Sequence, residues 1–270
     1  MPKAQTFYDL SRDALVMVSN NATARYWDQL WRDSQKDIKK AVTQRYNYML
    51  RKFVPRYLSQ GAKILDAGCG VGDKVYMLKK MGYDAYGVDF AEETVKRVTA
   101  YFPDINIKCA DVRGLSFPDK MFDAYLSFGV IEHFFEGYGE VIDEARRVLC
   151  DKGYLFLAFP HISPLRRWKI RFNRYSHITM PEQTKEKFYQ FFLNVPEVIR
   201  EVESKGFSVV SVYPFDAVKG WKDEVSLLNP AFSYIYNSQH IFLKGVKFFI
   251  DRLTSFLAGH TVLIIFQKNV

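Results

Sequence analysis

The stretch Ile64-Leu65-Asp66-Ala67-Gly68-Cys69-Gly70-Val71-Gly72-Asp73 is an apolar run that meets an acid and then three glycines at alternate positions. It reads as a buried strand, a tight turn and the start of a helix. Glycines suit a turn that must bend sharply while a ligand approaches its backbone. The spacing is not that of a dinucleotide fingerprint, in which the third glycine stands three positions after the second. No lysine of the P-loop type follows either. A carboxylate opening such a turn repels a pyrophosphate and suits a head group that carries an ammonium or a sulfonium.

Working outward, strands are expected at 63–65, 84–88, 105–109, 122–128 and 153–159, and helices at 73–80, 91–102 and 138–149. In the last of these Val141, Ala145, Val148 and Leu149 mark one buried face. Strands alternating with helices imply crossover units around a parallel sheet, hence an α/β fold. Ahead of it, residues 23–58 carry a helical recurrence through Tyr46, Met49, Leu50, Phe53 and Val54, broken at Pro55 and Gly61. We therefore divide the chain into an N-terminal helical lid region, 1–60, and a main domain, 61–270. After Pro160 the alternation pauses for an insertion of about 161–192. A helix at 195–204, a strand at 207–213, a loop through Trp221 and Pro230, an amphipathic stretch from Ile241 to Leu257 and a strand at 261–267 complete the reading.

Asp89 closes the second strand in Tyr86-Gly87-Val88-Asp89, beside the glycine turn, where a ribose diol donates two hydrogen bonds to a carboxylate. Asp111 follows the third strand in Cys109-Ala110-Asp111-Val112, placed to accept from an adenine amino group. Any one of these acids also reads as a helix cap or turn residue. Three at three consecutive strand ends describe a nucleoside site.

On these residues a resemblance rests. The runs ILDAGCGVG, YGVDF, CADVRGLSFPDKMFDAYLSFGVIEHF and RVLCDKGYLFLAFP, within 62–160, resemble the class I S-adenosylmethionine-dependent methyltransferases, above all the small-molecule group. The resemblance implies a seven-stranded sheet of order 3-2-1-4-5-7-6 with its last strand antiparallel, and S-adenosylmethionine as cofactor. It further implies that Asp66 with the turn Gly68, Cys69, Gly70 and Gly72 holds the methionine part, Asp89 the ribose, and Asp111 with Val112 the adenine. Phe90, after Asp89, and Ser127, at the end of the fourth strand, join these cofactor candidates. Tyr26 and Trp27, with Trp31, stand on a helix that either closes over the cofactor or simply packs.

Methyl transfer from a sulfonium needs alignment and removal of a proton more than it needs a strong catalyst. His133, in Gly129-Val130-Ile131-Glu132-His133, is either that base or a residue that orients the loop. Neither an Asn- or Asp-Pro-Pro-Tyr run nor a Pro-Cys pair occurs, which disfavours methylation of adenine, cytosine or glutamine. Residues 161–181 hold five Arg or Lys and no acid. Arg166, Arg167, Lys169, Arg171 and Arg174 form either a phosphate clamp or a solvated face. Arg171, Arg174 and Tyr175 are the acceptor-binding candidates, and Trp168 either stacks on a ligand or anchors the insertion.

The chain has 270 residues and a net charge of +8, so an anionic partner is in keeping with it. Cys69, Cys109 and Cys150 lie about forty residues apart, which makes neither a disulfide framework nor a zinc knuckle. We assign no metal site. Without a leader pattern or a long apolar span, a cytoplasmic chain is expected, with 241–250 either touching an anionic membrane or packing on the sheet. The expected function is O-methylation of a small or phosphate-bearing acceptor, such as a sugar on a nucleotide or lipid carrier, in surface polysaccharide synthesis. The alternative is a non-catalytic module on the same fold that binds a nucleoside, RNA or a membrane; nucleic acid is the less favoured partner.

Overall fold

The computed structural model describes residues 5–12, 14–19, 22–34, 37–43, 47–178 and 186–270. In chain order it opens with strands β1 (Gln5–Asp9) and β2 (Ala14–Val18), followed by helices α1 (Ala24–Ser34), α2 (Ile38–Thr43) and α3 (Tyr48–Tyr57). The first sixty residues are therefore not wholly helical, as the sequence reading had them; two strands precede α1. The 23–58 pattern resolves into three helices, and Tyr46 lies outside the described residues.

The alternating core follows as β3 (Lys63–Ala67), α4 (Asp73–Lys80), β4 (Asp84–Asp89), α5 (Glu92–Tyr101), β5 (Asn106–Cys109), β6 (Phe122–Phe128), α6 (Gly139–Val148) and β7 (Leu149–Pro160). Then come α7 (Pro164–Arg171), β8 (Ser176–Ile178), β9 (Phe188–Phe192), α8 (Val195–Ser204) and β10 (Phe207–Phe215). Helices α9 (Ala217–Glu224), α10 (Asn229–Asn237) and α11 (Ile241–Ala258) lead to β11 (Thr261–Lys268). Where a loop was expected through Trp221 and Pro230 the chain is helical, and Pro230 sits in the first turn of α10, where its missing N–H costs nothing.

Seven strands form one sheet in the order β10-β11-β7-β6-β3-β4-β5. Only β11 runs antiparallel to its neighbours, so the expected order and the reversed last strand are both present. Alternate residues of each strand feed opposite faces. Ile64, Leu126, Phe156 and Leu263 pack toward α2–α5, whereas Leu65, Tyr125, Leu155 and Val262 pack toward α6 and α8. Both faces are covered, which is why these strands read as apolar runs.

A second, four-stranded sheet has the order β8-β1-β2-β9. It joins the N-terminal hairpin to the segment 161–192, of which 179–185 lie outside the described residues.

Gly72 ends the glycine turn with φ +75°, and a Cβ there would stand 2.3 Å from Ile107 Cδ1 on β5. Gly61 has a similar φ, +82°, with open space around it. The pair separates backbone strain from overlap. Gly61→Ala should cost about 1 kcal/mol, the left-handed penalty alone. Gly72→Ala should cost roughly 3 kcal/mol, because the Ile107 side chain must also leave its packed position. Urea-denaturation midpoints of the two variants check the difference, and equal losses would contradict it.

Candidate active site

The site lies at the carboxyl ends of β3, β4 and β6. Asp66 is fully buried inside β3, paired in register with Gly87 on one side and Leu126 on the other. Among the described residues its one close polar partner is Lys74, in the first turn of α4, whose Nζ stands 3.3 Å from Oδ2. Burial pushes the Asp66 pKa up to about 6, against the pull of Lys74. Burial would lower the Lys74 pKa, but Asp66 and Asp73 outweigh it and hold the ammonium charged.

Asp89 ends β4 and is almost fully buried. Its Oδ2 accepts from the Gly70 N–H at 2.7 Å and its Oδ1 from the Ala91 N–H at 2.9 Å. Burial raises its pKa despite those two bonds. Each oxygen keeps a further acceptor position, since a carboxylate offers about four. Asp111 is different. Arg113 grips both of its oxygens, Nη2 donating to Oδ2 at 2.6 Å and Nε to Oδ1 at 3.0 Å, and this pairing lowers the Asp111 pKa.

These ends border a cavity of about 550 Å³. Of the expected cofactor residues, Gly68, Cys69, Gly70, Asp89, Phe90, Asp111, Val112 and Trp27 line it. Asp66, Gly72, Ser127 and Tyr26 do not. Asp66 lies beneath the turn and reaches the cavity only through Lys74, which does line it. Gly72 serves packing, and Ser127 is fully buried with an unpartnered hydroxyl. Tyr26 stands behind Trp27, edge-on to it and to Tyr189 at ring distances of 5.5 Å and 5.9 Å. A Cβ on Gly70 would meet Trp31 at 2.9 Å, so the absent side chain lets α1 close onto the turn.

His133 lines the cavity from a short 3-10 turn at Ile131–His133. Its Nδ1 lies 2.6 Å from the Tyr189 carbonyl oxygen. A carbonyl only accepts, so Nδ1 carries the hydrogen and Nε2 keeps a lone pair. Burial lowers the His133 pKa to about 4, so the ring is neutral in ordinary buffers. The rings of Trp27 and Tyr189 stand 5.2 Å and 5.0 Å from it, both edge-on.

The acceptor candidates are not brought here. Arg171 and Arg174 are exposed and away from the cavity, and the Tyr175 hydroxyl donates to Glu224 at 2.6 Å. Glu224 also takes Arg166 at 2.7 Å and Lys169 at 2.7 Å. Arg166 is fully buried, its guanidinium over the Phe192 ring at 4.2 Å. Much of the basic run thus fastens α7 to α9 instead of clamping a ligand. Trp168 is half exposed against Phe172 and does not anchor a core.

The sequence reading passed over Lys74, Glu132, Phe134, Tyr189 and Gln190, all of which line the cavity. Lys74 and Glu132 adjoin motifs already singled out. Tyr189 and Gln190 carry no local signal, because β9 reaches the site by pairing with β2.

A cofactor of the expected kind fits these residues. Asp66 is a buried anion with unmet acceptors under the turn, Asp89 has acceptor capacity for a diol, and Trp27 and Trp31 offer aromatic faces to a cation. Among the described residues no cluster of His, Cys, Asp or Glu could hold a metal ion.

Residues 65–157 match a family described as a methyltransferase domain. A probable S-adenosylmethionine-dependent methyltransferase of Mycolicibacterium smegmatis is 28% identical over 149 residues, 55% of this chain and 53% of that protein. A demethylmenaquinone methyltransferase of Listeria monocytogenes is 30% identical over 132 residues, 46% of this chain and 55% of that protein. The chain thus spans about half the length of these relatives. Among solved structures, an S-adenosylmethionine-dependent methyltransferase from Archaeoglobus fulgidus has the same fold, with a TM-score of 0.53 and 18% identity over 90% of this chain and all of that one. These matches bear out the family resemblance and, with it, S-adenosylmethionine as the cofactor.

Glu132 is buried with Oε2 unpartnered, and burial raises its pKa from 4.5 to about 8. A carboxyl whose folded pKa is raised stabilises the protein fully below its unfolded pKa and loses that contribution as pH climbs through the folded value. The Glu132 contribution should fall between about pH 5 and about pH 8, by up to a few kcal/mol, so Glu132→Gln should lose less stability than the wild type over that range. Urea midpoints across the range check it; an unchanged slope in the variant would contradict the placement of this carboxyl.

Proposed function

We propose that this chain, which carries a class I S-adenosylmethionine-dependent methyltransferase domain, methylates a hydroxyl of a small acceptor with His133 as the base. The observation that carries the reading is the 2.6 Å contact from His133 Nδ1 to the Tyr189 carbonyl, which leaves Nε2 free to accept a proton at the cavity wall. When bound, S-adenosylmethionine supplies a methyl group on a sulfonium, an electrophile that needs no further activation. The chain's own residues do the rest. Asp89 would hold the ribose hydroxyls, Lys74 and the Asp66 carboxylate beneath it the charged methionine end, and Trp27 and Trp31 would exclude water over the glycine turn.

His133 works as a base although burial disfavours its charged form. A proton arriving at Nε2 places one positive charge in the cavity as the sulfonium's positive charge is lost, so the buried site gains no net charge. The Tyr189 carbonyl faces the same ring and steadies the imidazolium.

A sugar hydroxyl on a nucleotide or lipid carrier is one acceptor of this kind. Its phosphate would meet Arg113 at the cavity wall, not Arg171 and Arg174. A second reading, a planar ring hydroxyl, is favoured by the aromatic walls Trp27, Phe134 and Tyr189. The name of the Listeria relative, a demethylmenaquinone methyltransferase, points to ring acceptors too.

Calorimetry with S-adenosylmethionine and with its demethylated product tests the first half. Micromolar binding of both is expected, weakened by about tenfold or more in Asp89→Ala, since hydrogen bonds to charged groups contribute about 1.5–3 kcal/mol each. Absence of binding would favour the non-catalytic module. For the second half, labelled methyl transfer is measured on panels of sugar nucleotides and of dihydroxy-aromatic compounds. His133→Gln should lower turnover by about 10²–10⁴-fold with cofactor affinity unchanged. Full turnover in that variant would remove His133 from the mechanism.

A further inference from the structure

We propose that the outward face of α11 docks on a lipid surface bearing anionic headgroups. The 18-residue helix turns Ser255 and Ala258 inward and packs against α7, α9 and β10. On the opposite side Ile241, Phe242, Phe248, Phe249, Leu253 and Phe256 are each between 51% and 80% exposed. Phe242, Phe249, Leu253 and Phe256, at intervals of seven, four and three, form one stripe, and Ile241 and Phe248 flank it. α10, which packs beside it, adds Tyr234 at 70% exposure. A face with four phenylalanines exposed to solvent is a site awaiting an apolar partner.

Charge identifies that partner. Lys244, beside Ile241 and Phe248, and Arg252, beside Phe249 and Phe256, are the exposed ionisable residues of the helix, and neither has an ion pair among the described residues. From Val225 to Ile250 the chain has no Asp or Glu. Asp251 faces inward, where its Oδ2 takes Lys247 at 2.7 Å and its Oδ1 accepts from the Val218 N–H at 2.9 Å. A second copy of the chain docked through this stripe would set cations against cations with no acid between them. A bilayer interface with negative headgroups accepts phenylalanine, leucine and basic side chains together. No helix among the described residues is long and apolar enough to cross a membrane, so this contact lies along the interface.

The sheet places the helix usefully. β11 pairs Thr261 with both Phe215 and Pro160, so the insertion 216–260 leaves and re-enters the sheet at the edge where β7 ends. The cavity opens at that same edge. Docking through α11 would therefore hold the chain on the lipid surface by the segment that joins β10 to β11 at this edge.

The test is co-sedimentation of the whole chain, without cofactor, on vesicles of phosphatidylcholine alone and of phosphatidylcholine with phosphatidylglycerol. Two interfacial cations at about 1 kcal/mol each correspond to binding roughly thirtyfold tighter on the anionic vesicles. Phe249→Ser with Phe256→Ser should abolish sedimentation on both while leaving the thermal melt intact, because both rings are exposed. Lys244→Glu with Arg252→Glu should remove the preference for the anionic vesicles. Wild-type binding by the Phe249→Ser, Phe256→Ser variant would overturn the proposal. So would the absence of vesicle binding, or a dimer in light scattering that this variant makes monomeric. Because none of these readouts uses the cofactor, the outcome is independent of whether the chain methylates.

Discussion

The Asp89 carboxylate ties together the parts from which the site is built. One oxygen holds the backbone of Gly70 in the glycine turn, and the other holds the backbone of Ala91 at the start of α5. One residue earlier, the Val88 carbonyl accepts from both the Gly68 and Cys69 N–H groups. The turn after β3 is thus written onto the end of β4, and α4 and α5 leave the sheet from fixed points. A buried carboxylate with two backbone donors is costly to remove, since its loss leaves those donors unmet. The floor of the cavity depends on this one side chain.

The roof obeys a different constraint. The state of His133 is set by the carbonyl of Tyr189, a backbone atom of β9, and not by a carboxylate partner in its own loop. The hydrogen bond that chooses the tautomer therefore belongs to the second sheet, whose position comes from pairing between β9 and β2. The same strand brings Tyr189 and Gln190 to the cavity wall. Floor and roof are parts of two separate sheets that meet across the cavity.

This division explains what could be read from the chain. The floor is made by local order: apolar strands, a glycine turn, acids at strand ends, helices between them. Residues 63–160 accordingly show their strands and eight of the seventeen residues they give to the cavity wall, while the strand order came with the family resemblance. The roof is made by contacts between residues far apart in sequence, and the five residues of β9 announce nothing about their partner. Two errors came from charge. Arg166 and Tyr175 sit in a run that looks like a surface clamp, yet both are spent on Glu224, an acid more than forty residues away. Composition tells how much charge a segment has and nothing about which way it faces. Asp66 reversed the usual expectation in another way, being too deeply buried to line the cavity it was expected to serve.

The pairing of β1–β2 with β8 and β9 has a consequence for how the protein is made. The β1–β2 hairpin is synthesised well before its two outer partners, which begin at Ser176 and Phe188, some 170 residues later. Throughout that interval both edges of the hairpin have unpaired backbone groups, and β2, with the sequence ALVMV, has little charge to deter a foreign strand. At roughly 5–20 residues per second the wait lasts on the order of ten seconds or more. The cavity can gain its roof only once β9 has been made, and the hairpin must stay available until then.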